Sequence, residues 1–221
     1  NDEQLSAFFA AWDKDLAAAK REIERHRLKV QSIYIGGGTP TSLSNADFER
    51  VLSLVEGAFY GEHTGEFTVE AGRPDTMTPE KALSMKEHRV SRVSVNPQTM
   101  QQRTLERIGR AHTPEDIVRM FRLLRETGDF SINMDVILGL PGETRSDIAD
   151  TMAKVLALAP DDVTLHSLAL KRGSKLKMHL EEYELPDDAE VRAMFRTAME
   201  QVQDEGFLPY YLYRQGYMSG Q

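Results

Sequence analysis

Gly36, Gly37, Gly38 and Thr39 close a run of β-formers, Val30, Ile33 and Ile35, and are followed by Pro40. Three bare backbone units in a row allow positive φ and let a ligand approach the peptide amides closely. Glycines alone fit an empty turn as well as a cradle, so the other polar residues must decide. Glu70 ends the strand-like run 66–70, Glu-Phe-Thr-Val-Glu. Asn96 and Gln98 follow the run 90–95. Asp135 sits inside Met134-Asp-Val-Ile-Leu138, and His166, Ser167 and Ala169 mark the end of the run 162–168. A glycine loop, two carboxylates and a carboxamide on one rim suit a polar, cationic, ribose-containing ligand. Amides and carbonyls hold an ammonium or carboxylate group, and acids hold ribose hydroxyls. Each residue also has a plainer reading. A lone Glu70 reads as a solvated strand end. Asp135 reads as a structural aspartate bonded to a loop, because a buried unpaired carboxylate is costly. His166 reads as a satisfied histidine at the mouth, and no second histidine stands at metal-ligand spacing.

These residues reach one rim only if the elements place them there. Apolar positions at spacings of three and four predict a helix over 3–28, through Leu5, Phe8, Phe9, Trp12, Leu16, Ala19 and Ile23. A strand over 30–36 follows. Ser44 with Asp47 resembles a capping box ahead of a helix carrying Phe48, Val51, Leu52, Val55 and Phe59. The strands 66–70, 90–95, 131–138 and 162–168 alternate with helices that start at Thr78-Pro79, near 101, at Thr113-Pro114 and after Thr144. The basic stretch with Lys171, Arg172, Lys175 and Lys177 reads as a solvated loop, then a short helix. A long helix from Asp187 or Asp188 to Glu205 closes on Gly206, and 207–213 reads as a last strand. Strand and helix alternate at roughly 30–35 residues per unit, the rhythm of a parallel sheet. Such units close into a barrel or open into a doubly wound sheet. In both, ligands bind at the carboxyl ends of the strands. The chain begins on a helix, so it reads as a piece of a larger protein whose first strand is absent.

The 221 residues can hold one α/β domain with a full core. A net charge of −8 argues against nucleic-acid binding by bulk charge. No apolar run approaches a membrane span, and Asn1-Asp-Glu3 begins no signal peptide, so a cytoplasmic protein is expected. The sequence has no cysteine, which excludes a disulfide, a cysteine nucleophile and a cysteine-ligated cluster within these residues.

In this order the motifs resemble a known family. Gly36-Gly-Gly-Thr-Pro-Thr41, Glu70, Gln98, Arg110, Asn133-Met-Asp135 and Gly139-Leu-Pro141 resemble the radical S-adenosylmethionine core of the oxygen-independent coproporphyrinogen III oxidase family. Val69-Glu-Ala-Gly-Arg-Pro-Asp75, Ser94-Val-Asn-Pro-Gln-Thr-Met100 and Pro209-Tyr-Tyr-Leu-Tyr-Arg-Gln215 look most like its HemZ, or coproporphyrinogen dehydrogenase, branch. The resemblance implies a partial parallel (β/α)6 TIM-like barrel lacking its first strand, with residues 1–221 as one truncated core domain and a C-terminal extension starting near 207. It implies that Gly37, Gly38 and Thr39 receive the amino-acid end of S-adenosylmethionine. Glu70, Gln98, Arg110 and Asp135 would line the same cofactor, with Ala169 as a backbone contact.

In that family a reduced [4Fe–4S] cluster on three cysteines cleaves the cofactor. The resulting radical takes hydrogen from propionate side chains of coproporphyrinogen III, and decarboxylation leaves vinyl groups. The tetrapyrrole substrate and a reductant for the cluster are the implied partners. This sequence lacks the three-cysteine motif, so the resemblance implies a cluster in the parent protein, held outside this chain, and no radical chemistry here. A missing strand also implies an open barrel edge able to pair in a homo-oligomer. A heme chaperone of the same family and a generic phosphate-binding barrel are the alternative functions.

Overall fold

A computed structural model of the chain describes residues 2–169 and 183–212. The elements are α1 (Asp2–His26), β1 (Ser32–Ile35), α2 (Asn45–Phe59), β2 (Glu66–Glu70), α3 (Pro79–Glu87), β3 (Arg92–Gln98), α4 (Gln102–Arg107), α5 (Pro114–Thr127), β4 (Ser131–Leu138), α6 (Arg145–Leu156), β5 (Asp162–Ser167) and α7 (Asp188–Asp204). The strands follow one another in a five-stranded sheet in chain order, β1-β2-β3-β4-β5. A doubly wound sheet reverses its strand order at a switch point. This one does not, so the fold is a partial parallel α/β barrel. Among the described residues no helix is long and apolar enough to cross a membrane.

The chain divides into two compact units. The first comprises the described residues up to 71, with 76–93 and 123–130. There β1 and β2 pair in parallel, Ile33 opposite Phe67 and Ile35 opposite Val69. Phe67 and Val69 are fully buried, as are Phe48 and Leu52 of α2 and Met85 of α3. Burying each such side chain stabilises the fold by about 1.5–3 kcal/mol. Ser44 caps α2 by accepting from Asp47 N at 3.1 Å, and Thr78 caps α3 by accepting from Lys81 N at 3.2 Å. Phe9 is the anchor of α1: it is buried, with the Arg50 guanidinium 4.2 Å from its ring centroid.

The second unit comprises 72–75, 94–122 and the described residues from 131 on. There β4 and β5 pair in parallel, Asp135 opposite Thr164 and Leu138 opposite Ser167. Met134, Val136 and Leu138 are fully buried beside Ile148 and Met152 of α6 and Met194 of α7. A strand buried on both faces needs such a near-continuous apolar run. Thr144 and Asp147 form the reciprocal capping box that starts α6.

Three expectations change. β3 does not stop at 95 but carries Asn96, Pro97 and Gln98 within it. No strand forms over 207–212. Phe207 N closes α7 on Val202 O at 3.0 Å, and Leu208 and Leu212 then project outward, 84% and 91% exposed. Strand propensity measures the fit to a half-buried pleated surface, and these side chains meet none. Asp135 is half-buried rather than enclosed. The expected short helix after 177 and the basic residues Lys171, Arg172, Lys175 and Lys177 lie outside the described residues.

Candidate functional site

In the first unit the parallel register places Gly36, after Ile35, beside Glu70, after Val69. The Tyr34 hydroxyl donates to the Glu70 carboxylate across this point. A Cβ on Gly36 would collide with the Tyr34 ring and come within 3.2 Å of Glu70 Cδ, so a side chain there would have to displace that pair. Gly37 takes φ +101°, and a Cβ built on Gly37 or Gly38 meets nothing within 4 Å. The loop therefore offers peptide groups with open space beside them. That is the shape a polar amino-acid group can enter, so the residues fit the methionine end of S-adenosylmethionine.

The exit of the loop is fastened from below. Thr39 precedes a 3-10 turn, Pro40–Ser42. Thr41 is fully buried, with its hydroxyl 2.6 Å from that of Thr76. Lys81 of α3 donates to the carbonyls of Thr41, at 2.7 Å, and Thr76, at 2.9 Å. Lys81 is 6% exposed, and burial lowers its pKa. The sequence reading missed this residue. A lysine in the first turn of an amphipathic helix looks like a solvated one, and only the fold reveals the carbonyls it meets.

In the second unit Asp135 accepts a hydrogen bond from Asn133 Nδ2 at 2.6 Å and lies 3.7 Å from His166 Nε2. Asn133 is buried and also donates to Ser94 Oγ, at 3.2 Å, while its carbonyl accepts from Thr164 Oγ1, at 2.9 Å. Ser94 in turn donates to Asn96 Oδ1, at 3.1 Å. Asp135 is thus the end of a polar chain through β3, β4 and β5. That chain, rather than a loop partner, makes an aspartate tolerable in this strand.

Gln98 is 7% exposed and takes φ +65°. Arg110 is half-buried, and burial followed by the nearby Arg73 charge lowers its pKa. Arg73 grips Asp75 with two nitrogens, at 2.6 and 3.1 Å, which holds the Asp75 carboxyl below its ordinary range. Ala169 follows β5, three residues beyond His166 and half-buried. The first unit therefore brings Gly36 beside Glu70, with Gly37, Gly38 and Thr39 continuing the loop from that point. The second holds Gln98, Arg110, Asp135 and Ala169, with Asp135 beside His166. Sequence reading also missed two buried groups, His112 and Glu143. A histidine next to a Thr-Pro cap and a glutamate after a turn both read as surface residues.

Residues 5–155 match the Radical SAM superfamily. The chain belongs to the radical SAM superfamily. This radical SAM chain is 38% identical over 194 residues to the oxygen-independent coproporphyrinogen-III oxidase-like protein HemZ of Bacillus subtilis, covering 87% of this chain and 39% of that protein. It is 30% identical over 184 residues to the heme chaperone HemW of the same organism, covering 82% of this chain and 48% of that protein. Among solved structures it resembles the coproporphyrinogen III oxidase HemN of Escherichia coli, with a TM-score of 0.79 at 20% identity, over 94% of this chain and 48% of that one. That likeness speaks for the fold alone. The radical SAM chain spans less than half the length of each of these three proteins. The superfamily implies S-adenosylmethionine and an iron–sulfur cluster. The glycine loop fits the first, whereas a chain without cysteine offers no thiolate for the second.

Proposed function

We propose that this chain is the S-adenosylmethionine-binding part of a radical enzyme that oxidatively decarboxylates coproporphyrinogen III. The observation that carries the reading is the open backbone at Gly37 and Gly38, directly after the Gly36 that lies against Glu70. In this reading the amides of Gly37 and Gly38 and the Thr39 hydroxyl hold the amino and carboxylate groups of the cofactor. Glu70 is oriented by Tyr34 and accepts from the cofactor's ammonium or hydroxyl groups. For Gln98, Arg110, Asp135 and the Ala169 backbone, contact with the same cofactor is what the resemblance of the sequence implies. S-adenosylmethionine, when bound to the whole enzyme, supplies the radical that starts the reaction. The chain's own residues position it and exclude water, since a primary radical formed in a wet pocket is quenched. A cluster is held by residues that this chain does not contain, and the tetrapyrrole and the reductant are partners of the whole protein. The coproporphyrinogen-III oxidase-like relative from Bacillus subtilis supports this assignment.

Calorimetry of the chain with S-adenosylmethionine tests the binding half: saturable binding, weakened in Glu70→Gln, is expected. Absence of binding in the folded chain overturns it. Decarboxylation of coproporphyrinogen by the full-length protein tests the other half.

A second reading is a heme chaperone, favoured by the 30% identity to a protein of that name. It predicts heme uptake and transfer to an acceptor apoprotein, without decarboxylation.

A further inference from the structure

β3 ends on a backbone that needs holding. Gln98 has φ +65°, in the left-handed region that residues with a Cβ avoid, and its side chain is nearly buried. Such a conformation persists only where the surroundings over-determine it. The residue before Gln98 is proline, whose own nitrogen donates nothing, and the Pro97 carbonyl belongs to the peptide that enters Gln98.

A buried side chain grips the chain on each side of Gln98. His112 is 2% exposed and donates to the Pro97 carbonyl. Its Nε2 is buried with no partner, so Nδ1 carries the proton that makes this bond. Burial also holds the imidazole neutral by lowering its pKa, with Arg110 acting in the same direction and Asp75 and Asp116 against it. On the other side, the Thr99 hydroxyl donates to Glu143 Oε1 at 2.6 Å. Thr99 Oγ1 also accepts from Gln101 N, at 3.1 Å, and Met100 N donates to Thr151 Oγ1, at 3.2 Å. Glu143 is 3% exposed, and its Oε2 is buried without a hydrogen-bond partner. Both His112 and Glu143 leave one buried polar atom unsatisfied, which an apolar residue of similar volume would not do. What His112 retains is its bond to the Pro97 carbonyl, and Glu143 keeps the Thr99 hydroxyl, with the Thr104 hydroxyl as a second polar neighbour.

We propose that His112 and Glu143 are positioning residues that hold the two neighbours of Gln98, His112 by the Pro97 carbonyl and Glu143 by the Thr99 hydroxyl, fixing its left-handed backbone and aiming its carboxamide at the ligand. The clamp rests on the geometry of β3 and its surroundings. The identity of the ligand rests on the function proposed above.

The test compares variants that keep the bond with variants that keep only the bulk. His112→Asn places an amide N–H where Nδ1–H was, and His112→Phe keeps a ring without the donor. Glu143→Gln keeps the acceptor, and Glu143→Leu removes it. Three quantities are read for each: S-adenosylmethionine affinity by calorimetry, the unfolding midpoint, and the Gln98 13Cα and 13Cβ shifts by NMR. The Asn and Gln variants are expected to bind within about twofold of the parent, and the Phe and Leu variants about tenfold more weakly, as for the loss of one orienting bond. Gln98 shifts should leave the left-handed range only in the Phe and Leu variants. A purely structural role predicts changes in midpoint with no split between bond-keeping and bond-lacking pairs, and that result overturns the proposal. Where the parent chain itself does not bind the cofactor, the functional reading falls. The Gln98 shifts alone then decide the clamp: unchanged shifts in the Phe and Leu variants sink it, and a split upholds it.

Discussion

At the residue scale the glycine loop separates backbone strain from ligand space. Gly37 at φ +101° lies where any side chain is strained, so Gly37→Ala should cost about 1–3 kcal/mol of stability and be visible in urea unfolding. Gly38 has ordinary φ and open space beside it, so Gly38→Ala should leave stability within about 0.5 kcal/mol. If the loop receives the cofactor, the same Gly38→Ala should weaken S-adenosylmethionine binding by about tenfold, because its methyl enters the ligand's volume. Equal affinity in calorimetry would remove the loop from the site. Lys81 makes the complementary case. Lys81→Met leaves the Thr41 and Thr76 carbonyls without their donor and should cost about 1–3 kcal/mol, read as a lowered denaturant midpoint.

At the element scale α2 and α3 are stapled by one histidine. His88 Nε2 meets Glu49 at 2.6 Å and His88 Nδ1 meets Glu56 at 2.7 Å, so both ring nitrogens face carboxylates. Burial pulls the His88 pKa down, but the two carboxylate bonds outweigh it and the net shift is upward. A histidine raised in the folded state contributes stability that is complete below its unfolded value and is lost as pH rises through its folded value. The Ser84 and His88 bonds lower the Glu49 pKa, so its contribution is present above the unfolded carboxylate value and fades as pH falls through the folded one. The staple should therefore be strongest at mildly acidic pH, between the carboxylate and imidazole titrations. Glu49 is partly exposed, so solvent screening limits the effect of His88→Gln to about 1 kcal/mol. Thermal unfolding at mildly acidic pH and at pH above the histidine range checks this. A variant whose deficit does not shrink as pH rises would show that the charge contributes nothing. The elements were largely legible beforehand. β2, β4 and the capped starts of α2, α3, α6 and α7 fall where apolar spacing and cap residues put them. The segment 207–212 failed because its tyrosines and leucines carry strand propensity without a strand to join.

At the scale of the whole molecule, cofactor binding should appear as stabilisation. A ligand at about 100 times its Kd adds about 2.7 kcal/mol to the folded state, so S-adenosylmethionine should raise the unfolding midpoint. A phosphate ester should not. The reverse pattern would favour a phosphate-binding barrel. A chain without cysteine is also expected to release no 5′-deoxyadenosine from S-adenosylmethionine after iron–sulfur reconstitution and reduction. Turnover detected by chromatography would overturn that expectation.

The sequence by itself determined the strand–helix alternation, the caps, the glycine loop and the ordered polar residues Glu70, Gln98, Arg110 and Asp135. These are local: periodicity, turn chemistry and motif spacing are written in consecutive residues. Only the tertiary structure decided that the strands run in sequential order. It alone showed that Lys81 is buried against two carbonyls, that Asp135 is braced by Asn133, and that His112 and Glu143 flank Gln98. Lys81 meets Thr41 across 40 positions and Glu143 meets Thr99 across 44, and even the short Asn133–Asp135 bond depends on how β4 packs, because a polar side chain's partner is fixed by packing rather than by its place in the chain.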